Sequence, residues 1–133
     1  MTNKVRKMHI KRDDIVVLRV GDYKDKYTVK EDKDGNTKKK VLKTGKVIAV
    51  SPKEGKVIVQ GINLVSKHAK ARQQGDPSGI MNVESAVYAD KVQLYCSSCD
   101  KGVRTRREVT YDTVDGKKVR KVTRRCAKCA KEI

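Results

Sequence analysis

All four cysteines of the 133-residue chain fall in two Cys-x-x-Cys pairs, Cys96/Cys99 and Cys126/Cys129. A zinc ion takes four ligands in a tetrahedron, and each such turn presents two thiolates on one side of a knuckle, so two knuckles complete one site. That requirement forces residues 96–99 and 126–129 together. The 26 residues between Cys99 and Cys126 exceed the usual ribbon spacing. Val103–Val114 and Lys117–Arg125 are β-favouring runs around Asp115-Gly116, a hairpin turn signal, and a hairpin returns to its start whatever the length of its arms. Residues 96–133 are therefore expected to form a zinc-ribbon-like segment holding one Zn2+ on Cys96, Cys99, Cys126 and Cys129. Four thiolates leave no open position for water, which makes the site structural, and the metal supplies folding energy to a segment with almost no core of its own. A redox Cys-x-x-Cys is the competing reading, but it needs a βαβ setting and a helix N-terminus to lower a thiol pKa, and neither is visible.

The rest of the chain is arranged around TGKVIAVSPKEGKVIVQG, Thr44 to Gly61. Two apolar runs, Val47–Val50 and Val57–Val59, flank a turn-forming cluster, which describes a β-hairpin. Gly45 and Gly61 stand just before and just after its strands, where a missing Cβ lets a backbone pass close or a strand bend. Ile15–Val20 reads as a first strand entered through an Asp13-Asp14 turn. An acid pair adjacent on a strand points to opposite faces, which argues against a catalytic dyad. Residues 22–43 are polar and carry Asp34-Gly35-Asn36, so they read as an inserted, solvated hairpin. Ile62–Val65, Ile80–Val83 and Val92–Tyr95 are further strands; residues 69–79 form a long exposed loop; and Glu84–Lys91 is a connector with room for one helical turn. Short strands with tight turns and no convincing helix make residues 13–95 a mainly β unit, a small antiparallel barrel.

Charge narrows the partner. Thirty-three Lys and Arg against sixteen Asp and Glu leave +17, a self-repelling excess that points to a polyanion. With five Tyr and no Trp or Phe, base stacking is a weak route and phosphate contact the stronger one. The candidate contacts are Lys4, Arg6, Lys7, Lys11 and Arg12 in a basic arm over residues 1–12; Lys46, Lys53 and Lys56 at the ends of the central hairpin; Lys67, His68, Lys70 and Arg72; and Arg104, Arg106, Arg107, Arg120, Lys121, Arg124 and Arg125 in the ribbon. No apolar run is long enough for a membrane span, and no secretory signal is visible, which gives a cytoplasmic expectation. Nothing resembles a nucleophile–base pair, a phosphate-cradling glycine loop or an open metal site, so neither an enzyme nor a small-molecule substrate is expected.

HIKRDDIVVL, TGKVIAVSPKEGKVIVQGINLVSKH, the loop ending GDPSGI and the paired cysteines together resemble the bacterial large-subunit ribosomal protein twenty-four family, built on the KOW motif, from about Met8 to Glu132. The resemblance implies an SH3-like barrel, with Gly45 as the KOW glycine and Lys46, Lys53 and Lys56 as its basic residues. Lys67-His68 matches the family's Lys-His pair, and residues 69–79 match its protruding loop. It further implies direct binding to the 5′ domain of large-subunit ribosomal RNA, nucleation of early assembly, and a place beside the polypeptide tunnel exit among neighbouring ribosomal proteins and nascent-chain factors. Tyr23–Lys43 is longer than the short Gly-Lys-rich turn usual there, and many members lack the cysteines. A KOW hairpin also occurs in transcription elongation factors, so the alternative is a transcription module that binds RNA polymerase.

Overall fold

The computed structural model describes residues 7–31, 33, 35 and 38–133. Among these residues twelve strands follow one another as β1 (Ile15–Leu18), β2 (Tyr27–Glu31), β3 (Lys38–Leu42), β4 (Thr44–Ser51), β5 (Lys56–Val59), β6 (Leu64–Ala69), β7 (Gly79–Glu84), β8 (Val87–Tyr88), β9 (Val92–Cys96), β10 (Lys101–Val103), β11 (Thr105–Val114) and β12 (Lys117–Cys126). The helical content of the described residues is one α-turn, α1 (Tyr23–Lys26), and one 3-10 turn, Ala89–Lys91. All strand pairs are antiparallel.

Six strands form one sheet in the order β10-β9-β1-β4-β5-β8. β8 lies at one edge, three strands removed from β9, yet a single 3-10 turn joins the two. So short a link is possible only if the sheet curls round to bring β8 and β9 close, which makes it a small barrel of the SH3-like kind. The bend is visible in β4. Val47 pairs with Val59 but Ala49 pairs with Ile58, so Ile48 is an extra residue, and such a bulge sharpens the turn of a strand. It also explains why alternation fails there: Ile48 and Ala49 both face out, while Val47 and Val50 pack inward. Ile10, Val16, Leu18, Val47, Val57, Val59, Ile62, Val87, Val92 and Leu94 fill the interior.

Gly45 lies inside β4, not before it. A Cβ there would come within 2.5 Å of Val59 Cγ1 and 2.9 Å of the Gln60 carbonyl, so the position demands glycine for close approach. Gly61 has open space around it and a φ of +72°, so its role is the left-handed turn.

Among the described residues three two-stranded antiparallel ribbons stand outside this sheet: β2–β3, β6–β7 and β11–β12. β2 and β3 form the inserted hairpin, in register from Tyr27↔Leu42 to Glu31↔Lys38; Asp34 and Asn36 of its turn lie outside the described residues. β6 and β7, expected among the barrel strands, form a ribbon of their own, and residues 70–78 between them are exposed. The Asn63 amide reaches the carbonyls of Ser85 and Ala86 at its base. The expected connector at Glu84–Lys91 contains β8 as well as the 3-10 turn.

The basic arm is anchored where it is described: Ile10 is 1% exposed in the core, and Met8 packs against it. Asp13 and Asp14 lie in the turn before β1, not on a strand, and each meets a separate cation, Lys46 and Arg124.

Candidate metal centre and nucleic-acid interface

β9 carries the first knuckle out of the barrel, and β10 returns to pair with β9 in the same sheet. A Cβ on Gly102 would come within 2.8 Å of Val17 Cγ2, so the segment seats on the barrel wall only because that residue is glycine. β11 and β12 then pair without a break over ten residues, about 34 Å at the usual rise. Asp115 and Gly116 close them with φ of 50° and 74°, the two positive values that a type I′ turn requires. The second knuckle therefore arrives back beside the first.

The four sulfurs lie within 4.8 Å of one another, with Cys96 Sγ 3.4 Å from Cys129 Sγ and Cys99 Sγ 3.9 Å from Cys126 Sγ. A bond length of about 2.3 Å from a central zinc to each sulfur gives a tetrahedron with edges of about 3.8 Å, so the set fits one tetrahedral ion. It does not fit disulfides, whose sulfurs stand about 2.05 Å apart. Backbone N–H groups within each knuckle favour the thiolate of its first cysteine. The Cys99 N–H leads at Cys96, holding it below the usual thiol value. The Cys129 N–H leads at Cys126, bringing it down to about 6. Sharing a proton with Cys129 pushes Cys99 up to about 12, because four thiolates packed together do not all ionise without a cation between them. The Tyr95 hydroxyl donates to Asp100 and braces the first knuckle, and Lys131 Nζ donates to Ser97 Oγ at 3.0 Å and ties the two knuckles together.

Arg124 fastens the ribbon to the barrel. Its guanidinium makes a bidentate pair with Asp14, at 2.6 and 2.7 Å, and also donates to the His9 carbonyl at 3.3 Å. Burial would raise the Asp14 pKa, but hydrogen bonds from Arg124 and the Lys11 N–H, with the charge of Arg124, hold it below the ordinary carboxylate value. Ile133 packs against both the barrel core and the cysteine cluster. Arg124, read from the sequence as a phosphate contact, is thus occupied by an internal acid.

Alternation sorts the other ribbon cations onto two faces. Arg107, Val109, Tyr111, Lys118, Arg120, Val122 and Arg124 share one face, which carries no acid. Arg106, Lys121 and Arg125 share the other with Glu108 and Asp112, and Arg125 Nε pairs with Glu108 at 2.6 Å. The first face meets the N-terminal arm: Lys7, Met8, His9 and Lys11 line a groove of about 430 Å³ with Arg107, Val109, Arg120, Val122 and Arg124. Lys4 and Arg6 lie outside the described residues, and Arg12 is exposed.

In the barrel, Lys46 points outward 3.2 Å from Asp13, and Lys53 is exposed in the turn. Lys56 sits 3.9 Å from Glu54 and over the Tyr88 ring. Lys67 and His68 are exposed on opposite faces of β6, and Lys70 and Arg72 are exposed in the loop beyond. The structure thus brings the arm and one ribbon face together, and none of Lys46, Lys53, Lys56, Lys67, His68, Lys70 and Arg72 lines the groove between them. The sequence carries no signal for Arg19, which lines a second groove with His9 and Arg104. Nor does it single out Lys91, which joins Lys56 over Tyr88. Among the described residues no helix is long and apolar enough to cross a membrane.

Comparison with known proteins agrees with this architecture. Residues 62–133 match the family model for the C-terminal domain of large ribosomal subunit protein uL24. The chain is 44% identical over 98 residues to large ribosomal subunit protein uL24 of Thermoanaerobacter sp. (strain X514), covering 74% of this chain and 76% of that protein. It is 38% identical over 128 residues to that of Natranaerobius thermophilus, covering 96% and 97%, and 39% identical over 125 residues to that of Geotalea daltonii, covering 93% and 92%. With both the family model and near full-length relatives in agreement, the chain belongs to the uL24 family of large ribosomal subunit proteins.

Proposed function

We propose that this chain is a structural, non-enzymatic constituent of the large ribosomal subunit in the cytoplasm, where it binds the 5′ domain of large-subunit ribosomal RNA directly, nucleates early assembly and lies near the tunnel exit among neighbouring proteins. The observation that carries the reading is the arrangement of charge on a uL24-family frame: a rigid barrel holds Lys46, Lys53 and Lys56 at fixed spacing, and the ribbon adds a face with cations and no acid. Folded RNA offers a protein its phosphates, 2′-hydroxyls and shape, since the major groove of its duplexes is too narrow to read. Cations on a rigid scaffold recognise one such shape and favour it over its unfolded alternatives, which lowers the cost of later assembly steps. Residues 70–78, exposed between β6 and β7, are the segment that would meet nascent-chain factors.

Cys96, Cys99, Cys126 and Cys129 would hold one structural Zn2+, whose bonds would lock the base of the ribbon. The chain's own contribution there is the pair of knuckles and the Arg124–Asp14 clamp, which orient the acid-free face.

Sedimentation of the tagged protein from a lysate through a sucrose gradient, after a high-salt wash, tests the reading. Stoichiometric recovery with the large subunit is expected. Recovery with RNA polymerase, or at the top of the gradient, would overturn it and put the transcription-module reading first.

A further inference from the structure

The groove between the N-terminal arm and the ribbon meets a second one, of about 420 Å³, at His9, which lines both. The second is lined by Arg19, Arg104, Gln93 and Asp90 among others. The first is a trough carrying Lys7, Lys11, Arg107 and Arg120, and the second, sharing His9 with it, carries Arg19 and Arg104. Arg124 is neutralised by Asp14, and among the described residues the trough's lining holds no acid, while Asp90 lies on the second groove.

Resting on the RNA-binding reading above, we infer that this trough takes unpaired RNA nucleotides rather than a duplex. The floor decides between them. Val109 and Val122 are direct cross-strand partners, 39% and 42% exposed, and Met8 lies beside them. This apolar rung is bracketed by Arg107 on one side and by the Tyr111–Arg120 pair on the other, each about 7 Å away along the ladder. A duplex presents phosphates and 2′-hydroxyls and keeps its bases stacked inside, so an apolar floor offers it nothing. An unpaired nucleotide has both a charge for the cationic rungs and a base whose flat face is relieved of water by the valines. Tyr111, 67% exposed on the same face, supplies one ring at the outer end. The opposite ribbon face has Glu108 and Asp112 among its cations and does not suit a phosphate chain.

The test is a fluorescence anisotropy titration of the full-length, zinc-loaded protein with a labelled RNA strand of about ten nucleotides, and with the same strand annealed into a blunt duplex. The single strand is expected to bind about fivefold more tightly. Val109→Thr with Val122→Thr keeps β-branching and shape, so the ribbon holds, which unchanged zinc stoichiometry checks. This variant is expected to lose the preference while keeping the salt slope. Lys30→Ala, exposed on the inserted hairpin and outside the trough, is expected to keep the preference. Equal affinity for strand and duplex, or a threonine variant that retains the preference, overturns the inference and leaves ribosomal RNA binding standing. Failure to bind strand, duplex and a 5′-domain RNA fragment alike overturns both readings.

Discussion

The barrel and the β11–β12 ribbon are both antiparallel β-structure, yet they are held by different forces. The barrel closes on a continuous apolar interior in which Val16, Val47, Val59 and Ile62 are completely buried. The ribbon's fully buried side chains are Cys96, Val103 and Cys126 at its base, and from Arg106 to Lys121 every residue is exposed. A lone two-stranded hairpin is marginal in water. The ribbon is therefore held at one end, by knuckles, clamp and Ile133, while the barrel is held throughout. The difference also divides the labour. One face of each barrel strand is committed to the core, whereas both faces of the ribbon are exposed beyond its base, one without an acid and the other with Glu108 and Asp112.

Metal removal should separate the two most sharply. Binding of a structural zinc is worth about 10 kcal/mol or more, and much of that is folding energy for the segment it closes. Chelation, or Cys126→Ser, is expected to abolish stoichiometric zinc and to strip amide-exchange protection from residues 101–133 while β4 and β5 keep theirs. Loss of protection in both units at once would make them one cooperative body; stoichiometric zinc persisting in Cys126→Ser would refute the four-cysteine assignment. The converse lesion is Gly45→Ala. Its new Cβ meets the Gln60 carbonyl as well as Val59, and backbone does not yield as a side-chain tip does. Destabilisation of about 2–3 kcal/mol is expected by denaturant unfolding, with zinc stoichiometry unchanged.

What was legible in the sequence follows from how local each device is. Asp115-Gly116 and the Cys-x-x-Cys spacing act within a few residues, and the ribbon and its sulfur cluster were readable from them. The Thr44–Gly61 hairpin was readable for the same reason. The bulge at Ile48 was not, because a bulge is a relation between two strands and IAV alternates no differently with or without one. Ile10, amid the cations of HIKRDD, resembles a solvated arm until the barrel supplies a core for it to enter. Arg124 is chemically identical to Arg125 beside it, and only strand register sends one to Asp14 and the other to Glu108. Composition revealed how much positive charge there is; pairing determined which of it remains for a partner.

The clamp is the next smaller lever. Arg124→Ala leaves Asp14 half-buried without its cation and places nothing opposite Arg107; a loss of about 2 kcal/mol is expected. The same pair sets an acid limit. Because the folded Asp14 pKa lies below its ordinary value of 3.8, the unfolded chain binds more protons as pH falls through that range. The pair's stabilisation is present above about pH 4 and is lost as pH falls through the folded pKa. Unfolding free energy measured from pH 5 downward should therefore fall more steeply in the native protein than in Asp14→Asn. Parallel curves would show that the pair contributes nothing and that the ribbon is oriented by the metal alone.

The smallest stability effect belongs to Lys46, and it tests which unit carries the proposed RNA contact. Its ion pair with Asp13 is exposed on both sides, and such pairs contribute a few tenths of a kcal/mol at most, so Lys46→Ala should leave unfolding almost unmoved. RNA affinity should still fall, and the slope of log affinity against log salt should become shallower by about one, since one phosphate neutralisation is lost. The matching ribbon variant is Arg120→Ala, equally exposed and remote from the clamp. If both variants change the slope alike, barrel and ribbon share one RNA footprint. If only Lys46→Ala changes it on a 5′-domain fragment, the barrel alone anchors the RNA, and the ribbon, fixed at its base and free along both faces, is kept for a segment that arrives later in assembly.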